Sequence, residues 1–275
     1  MLNSTFGAFT TARLGIYVSQ MGLNVTGNNI ANINTPGYTR QHLEQVSFRT
    51  GGSDRYQSVM TSRVGSGALA VGVSQIRDPY LDIRYRTELS SVGAMDSKLT
   101  GLNDLQAILD EVGDGTDDHG LIHAQLSDLL EKLQNLTTNT NQDDFDTQVR
   151  ESAAALVDLL NSYSSQLDQV YDNTVDKLNQ SVEDVNDLLT QIRDLNDRIR
   201  RSDIHGDDAL ELRDQRNSLI DELSSYMKID VIYSSEEVSP NVFVEKLTIR
   251  LGNANPQNTD TEGATLVDGI YATQL

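Results

Sequence analysis

Between Phe145 and Ile199 the apolar residues return every three or four positions: Phe145, Val149, Leu156, Tyr163, Leu167, Val170, Leu178, Val182, Val185, Leu189, Ile192, Leu195 and Ile199. That spacing is the period of a helix with one covered face. Unbroken from residue 143 to 201, it makes a helix roughly 85–90 Å long at about 1.5 Å per residue. No globular domain of this size needs such a rod, so the chain is committed to long helices lying side by side. "SDIHGDD" at 202–208 breaks the pattern, and a helix over 208–227 returns along it with Leu212, Leu219, Ile220 and Leu223. Upstream, Asp78-Pro79 supplies an N-cap and a first helical proline. Tyr85, Val92, Met95, Leu99, Leu102, Leu105, Ile108 and Leu109 carry that helix to about Val112. A shorter helix over 120–136 holds Leu121, Ile122, Leu126, Leu129, Leu130, Leu133 and Leu136. The expected fold class is mainly α, a long antiparallel helical bundle or coiled coil over 78–227.

After Met227 the pattern changes to strands, "KIDVIY" at 228–233 and "NVFVEKLTIRL" at 241–251, followed by a Gly/Asn/Pro-rich turn and "ATLVDGIYATQL". Residues 228–275 therefore read as the start of a β-rich region, cut short while strands are still forming.

The other end has a different logic. Leu2, Phe9, Ile16, Leu23 and Ile30 recur at a spacing of seven, with the smaller Thr5, Ala12, Ser19 and Thr26, then Ile33, three positions further on. A seven-residue apolar repeat makes a seam for another helix. Gly7, Gly15, Gly22 and Gly27 each cost about 1 kcal/mol relative to alanine inside a helix, so this helix is expected to order against a partner. It stops at "NNIANINTPGYTRQ", residues 28–41. Asn28, Asn29 and Asn32 suit a helix end, where an amide satisfies the last carbonyls. Pro36 and Gly37 fit the centre of a type II turn, whose second position needs positive φ. Tyr38 and Arg40 then alternate with their neighbours as an extended arm does. A rigid joint is expected between an inner segment, 1–40, and an extended arm or loop, 41–77, irregular from residue 44 and closing with a strand near 68–76.

Composition limits the chemistry. The chain has 21 basic and 41 acidic residues, a formal charge of −20, which disfavours nucleic acid and anionic lipid as partners. It has no cysteine, so a disulfide framework and thiolate sites are excluded. It contains no apolar run of membrane-spanning length and no secretory signal pattern. "DDHGLIH" brings Asp117, Asp118, His119 and His123 close in sequence, but no further ligand is suggested by spacing. Capping is the better account of those aspartates, and "GSGALAVG" lacks the lysine of a phosphate-binding loop. No catalytic residue, cofactor or metal is expected.

"NNIANINTPGYTRQ" resembles the signature shared by the bacterial flagellar axial proteins, the rod, hook and hook-associated proteins. "GYTRQ", "GSGALAVGVSQIRDPYLDIRYR" and "LELRDQRNSLIDELSSYMKIDV" are similar, in order, to the hook-associated members at the hook–filament junction. Ala68 departs from the larger aliphatic residue usual after Gly-x-Gly. The family's C-terminal helix, the partner of residues 2–33, is not found in this chain, which agrees with an unfilled seam. The resemblance implies a secreted structural protein of the flagellum, exported by the type III apparatus without a cleaved signal. It implies a ring of copies contacting the hook protein, the next hook-associated protein or the filament, and an export chaperone. Alternatives are another rod or hook protein, an extracellular coiled-coil adhesin or binding module with 228–275 as its head, and an enzyme using Asp117, His119 and His123.

Overall fold

A computed structural model describes residues 5–48, 67–109, 120–138, 143–240, 242–252 and 263–275. The described residues form helices α1 (Thr5–Ala31), α2 (Pro79–Leu109), α3 (Leu121–Thr138), α4 (Asp143–Ile204) and α5 (Leu210–Tyr226). The strands are β1 (Gln41–Ser47), β2 (Ala68–Gln75), β3 (Ile229–Ser239), β4 (Val242–Leu251), β5 (Thr265–Asp268) and β6 (Tyr271–Ala272). The mainly α expectation holds, and α4 runs unbroken for 62 residues. Its first turn carries Asp143, Asp144 and Asp146, favourable at the positive end of a helix dipole. It ends where Gly206 takes φ +77° and the Asp207 N–H donates to the Ser202 carbonyl at 3.0 Å. Asp78 caps α2 as expected, its Oδ1 accepting the Tyr80 N–H at 3.0 Å.

The chain divides into two compact units, and the division falls inside α2 and α4. The first unit contains Met1–Thr87, Leu188–Ser224 and Lys228–Gln274. Its sheet is antiparallel with strands in the order β3-β4-β5-β6. Leu188, Leu189, Ile192, Leu195 and Ile199 of α4 are buried, as are Ile220 and Leu223 of α5. So are Val244, Leu247 and Ile249 of β4 and Leu266 and Val267 of β5. Each such side chain stabilises by about 1.5–3 kcal/mol, making this the hydrophobic core of the unit.

Polar groups tie the same elements together. Arg213 pairs with Asp203 at 2.8 Å and with Glu245, and Arg216 pairs with Glu245 and donates to Asn196 Oδ1 at 3.0 Å. Asn196 in turn donates to the Gly269 carbonyl at 2.8 Å. The Arg216 guanidinium also lies 5.5 Å from the Tyr233 ring centre.

In the same unit β1 and β2 make a two-stranded antiparallel ribbon, with Gln41 opposite Gln75 and Ser47 opposite Ala68. The arm is thus regular up to Ser47, past the point where the irregular loop was expected to begin. Its pairing partner starts some twenty residues later, so local sequence gave no sign of it. Helix α1 covers the ribbon with one face: Val18 is buried, and Thr11, Leu14, Gly22, Val25 and Asn29 are half-buried.

The second unit contains Glu88–Asp187 and Ser225–Met227. Here α4 meets α3 early, where Ser152 Oγ donates to Asp128 at 2.7 Å, and α2 further on, where the Tyr163 hydroxyl reaches the Leu109 carbonyl at 3.5 Å. Gly93 of α2 sits so close to the chain at Ser225 that an added Cβ would lie 2.1 Å from the Ser225 carbonyl oxygen. Among its described hydrophobic residues, only Tyr163 and Val185 are buried.

Candidate assembly joint

The end of α1 is built from its own asparagines. The Asn32 N–H donates to the Asn28 carbonyl at 3.1 Å, the last regular helical bond. The Asn32 amide donates to the Asn28 carbonyl at 3.0 Å and to Asn28 Oδ1 at 2.9 Å. Thr35 Oγ1 donates to Asn32 Oδ1 at 3.2 Å. These side-chain bonds brace the last turn, while the Ile30 carbonyl, which the terminating helix would leave bare, accepts the Ile33 N–H at 3.4 Å. The Tyr38 N–H then donates to the Thr35 carbonyl at 3.2 Å, and Gly37 has φ +76°. That is a type II turn with glycine where only positive φ fits.

Asn29 fixes where the chain goes next. Its Oδ1 accepts the Gln41 N–H at 2.9 Å, and its Nδ2 donates to the Gln41 carbonyl at 2.9 Å. The amide therefore pairs with residue 41 as a neighbouring strand would, fixing the start of β1 to the helix. The Tyr38 hydroxyl donates to the same Oδ1 at 2.9 Å, and Asn28 Nδ2 donates to Gln41 Oε1 at 3.3 Å. Gln41 is buried, and the Arg40 carbonyl accepts the Ile76 N–H at 2.9 Å.

The turn is docked on α5 of the same unit. The Thr39 N–H donates to Asp214 Oδ2 at 3.1 Å. A Cβ at Gly37 would stand 3.2 Å from Ser218 Cβ, so only glycine meets both the angle and the close approach. A cleft of about 650 Å³ lies beside this contact, lined by Asn32, Pro36, Tyr38, Asp194, Arg198 and Glu211 among others. Burial first, then the charges of Asp214 and Glu211, push the Tyr38 phenol above its ordinary value. The neutral hydroxyl is thereby held as a donor to Asn29. A second brace lies close by: Arg77 pairs with Asp82 at 2.5 Å, and Arg86, itself buried, pairs with Asp221 of α5 at 2.7 Å.

Of the residues singled out in the sequence, Asn28, Asn29, Asn32, Gly37 and Tyr38 meet in this joint. Pro36 and the Arg40 side chain are exposed beside it. Phe9, Ile16, Leu23 and Ile30 do not join it: they are 69%, 61%, 71% and 66% exposed, on the side of α1 away from the ribbon. Leu2 lies outside the described residues. Gln41, Asp214, Ser218 and the Arg213–Arg216–Glu245 network escaped the sequence reading. The run "RDQRN" at 213–217 was their one signal, because it places two arginines three residues apart on a helix face. Asp117, Asp118 and His119 lie outside the described residues, and His205 Nδ1 lies 2.6 Å from the Arg201 carbonyl in the turn after α4. Among the described residues no group of three or more metal-ligating side chains converges, and no helix is long and apolar enough to cross a membrane.

A family profile described as "Flagellar hook-associated protein FlgK helical domain" matches residues 102–275, and one described as "Flagella basal body rod protein" matches residues 19–39. Flagellar hook-associated protein 1 of Bacillus subtilis (strain 168) is 36% identical over 235 residues, covering 85% of this chain and 45% of that protein. The protein of the same name from Escherichia coli (strain K12) is 24% identical over 274 residues, covering 94% of this chain and 47% of its own length. This chain thus spans about half the length of the curated relatives it matches. Its fold is similar to the solved flagellar hook junction protein FlgK from Burkholderia pseudomallei, with a TM-score of 0.52 and 20% identity. That likeness covers 70% of this chain and 30% of the other. The helical-domain match spans more than half of the residues, so this chain belongs to the flagellar hook-associated protein FlgK family.

Proposed function

We propose that this chain is a structural component of the bacterial flagellum that joins hook to filament, and that it catalyses nothing. In this reading many copies close into a ring or short tube. The hook protein borders it on one side, and the next hook-associated protein or the filament on the other. An export chaperone delivers the chain to the flagellar type III apparatus, which passes it out of the cell without cleaving a signal peptide. The single observation that carries the reading is the 36% identity to the hook-associated protein of Bacillus subtilis across 85% of this chain. The rod-protein match is confined to residues 19–39, and the helical-domain match over 102–275 favours the junction over a rod or hook position.

The joint supports the same reading. Helix α1 has one face on its own ribbon and a second apolar face, Phe9, Ile16, Leu23 and Ile30, open to solvent. A seven-residue seam of that kind is filled by a helix from elsewhere, so α1 serves as an inner wall element aimed by the turn at Pro36-Gly37.

Removal of the gene from a bacterium that carries it tests the function. Hooks without filaments, with filament subunits lost to the medium, are expected. A deletion strain that swims with filaments attached overturns the reading. Returning a Leu23→Asp copy tests the seam, and normal filament attachment by that copy would exclude the open face from assembly.

A further inference from the structure

The charge of the chain is not shared between its two units. Residues 88–187 hold 21 acidic and 4 basic residues, a net −17 out of −20, which leaves 20 acidic and 17 basic for the rest of the chain. The first unit, which carries the joint, can therefore meet a second copy with little net repulsion. Within it the cleft beside the joint is locally acidic. Asp194, Glu211 and Asp214 line that cleft against one cation, Arg198. Asp214 is 6% exposed; its Oδ2 accepts the Thr39 N–H at 3.1 Å, whereas its Oδ1 has no hydrogen-bond partner among the described residues. Buried carboxylate oxygens are ordinarily satisfied, and an unmet one marks a place for a donor. Glu211 stands three residues before Asp214 on the same face of α5 and is exposed. Neither Glu211 nor Arg198 makes an ion pair among the described residues. The cleft is thus built to take a cation that its own copy does not supply.

We infer that Arg40 of a second copy enters this cleft and pairs with Glu211, beside Asp214. The inference rests on the multi-copy ring proposed above and names a contact that would close it. Most described cations of the first unit already have an ion pair or a ring partner. Among the described residues, Arg13 and Arg40 are exposed and have neither. Symmetry chooses between them. Rotation about a ring axis leaves every residue at its own level, so a side chain and the site it fills on the next copy must share one level. Arg40 follows Thr39, which is bonded to Asp214, so it meets this condition whatever the direction of the axis. Arg13 lies roughly 24 Å further along α1 than Asn29, at about 1.5 Å per residue, and with α1 as a wall element it does not. A planar guanidinium also suits paired carboxylates, to which it donates several hydrogen bonds at once. Arg40 on one copy and the cleft on the next make a head-to-tail contact, the kind that repeats around a closed ring.

The test uses the full-length gene in a deletion strain whose lost filaments the native copy restores, so a failure of this contact is distinct from a failure of the junction reading. Arg40→Glu and Glu211→Arg each change an exposed side chain, so export and the urea midpoint should stay close to native while most attached filaments are lost. The exchanged variant, Arg40→Glu/Glu211→Arg, is expected to regain them. Co-expression of the two single variants should regain them in part, because each copy then offers its neighbour the opposite charge. Filaments attached normally by either single variant overturn the proposal. If Arg40→Glu is the normal one, the cation in the cleft comes from another protein or another part of the chain. Loss in both without rescue by the exchange overturns it as well. Rescue by the exchange but not by co-expression also overturns it, since the pair then forms within one copy.

Discussion

At Gly37 two demands coincide: φ is +76°, and the missing Cβ would stand 3.2 Å from Ser218. Valine there incurs about 1–2 kcal/mol for the left-handed angle alone, and the contact with α5 adds to it. Gly37→Val is expected to lower the urea midpoint and to detach the turn, read as loss of Thr39 amide protection from exchange. An unchanged midpoint would mean that the turn is not seated on α5. Tyr38→Phe removes the donor to Asn29 and should cost about 1 kcal/mol. The phenol is raised above 10.0, so the folded state holds this proton more tightly than the unfolded chain does. Its contribution is complete below pH 10.0 and is lost as pH rises through the folded value. Denaturant melts at increasing alkaline pH should show this loss in the native chain and a flatter curve in Tyr38→Phe. The asparagines, proline and glycine of this joint were legible in the sequence because their effects are local. Asp214 and Ser218 were not, because roughly 175 residues of chain separate the turn from the helix that receives it.

Elements were easier to read than their pairings. Helix α4 shows in the sequence because apolar residues recur every three or four positions along it, although burial is dense only from Val185 to Ile199 and Leu178 is 63% exposed. Strand β1 was recognised only as an extended arm, since its ladder depends on a distant partner. The network joining α4, α5 and β4 was likewise hidden, because Arg216 and Glu245 meet only once the sheet has formed. Arg216 is 2% exposed, and Arg216→Ala should destabilise the first unit by about 3 kcal/mol. That value is the lower end for a broken buried pair, because Arg213 still neutralises Glu245. Equilibrium unfolding in urea reads it directly. Gly93→Ala belongs to the same scale: its Cβ would collide with the Ser225 carbonyl, so α2 must shift. A loss of about 1–3 kcal/mol is expected from such overpacking, and a stability equal to the native chain would deny the close approach.

For the molecule, burial and charge divide along the same line. Most of the buried hydrophobic residues sit in Leu188–Ser224 and the sheet, whereas the second unit has few and carries −17. Local stability follows the density of buried apolar groups. Amide exchange is therefore expected to be slowest in α5, β4 and the end of α4, and faster in α2 beyond Glu88 and in α3. Self-repulsion in the second unit should make its helices more stable as salt rises from about 0.02 to about 0.5 M. Circular dichroism melts at both strengths check this, and a helix signal that melts earlier in high salt would contradict it.

One consequence concerns durability. The amide of Asn29 donates to Gln41 through its nitrogen and accepts from Gln41 and Tyr38 through its oxygen. Hydrolysis of that amide to an acid would leave two acceptors face to face where a donor had been. At most surface positions such ageing passes unnoticed; here it would unpick the first rung between helix and ribbon.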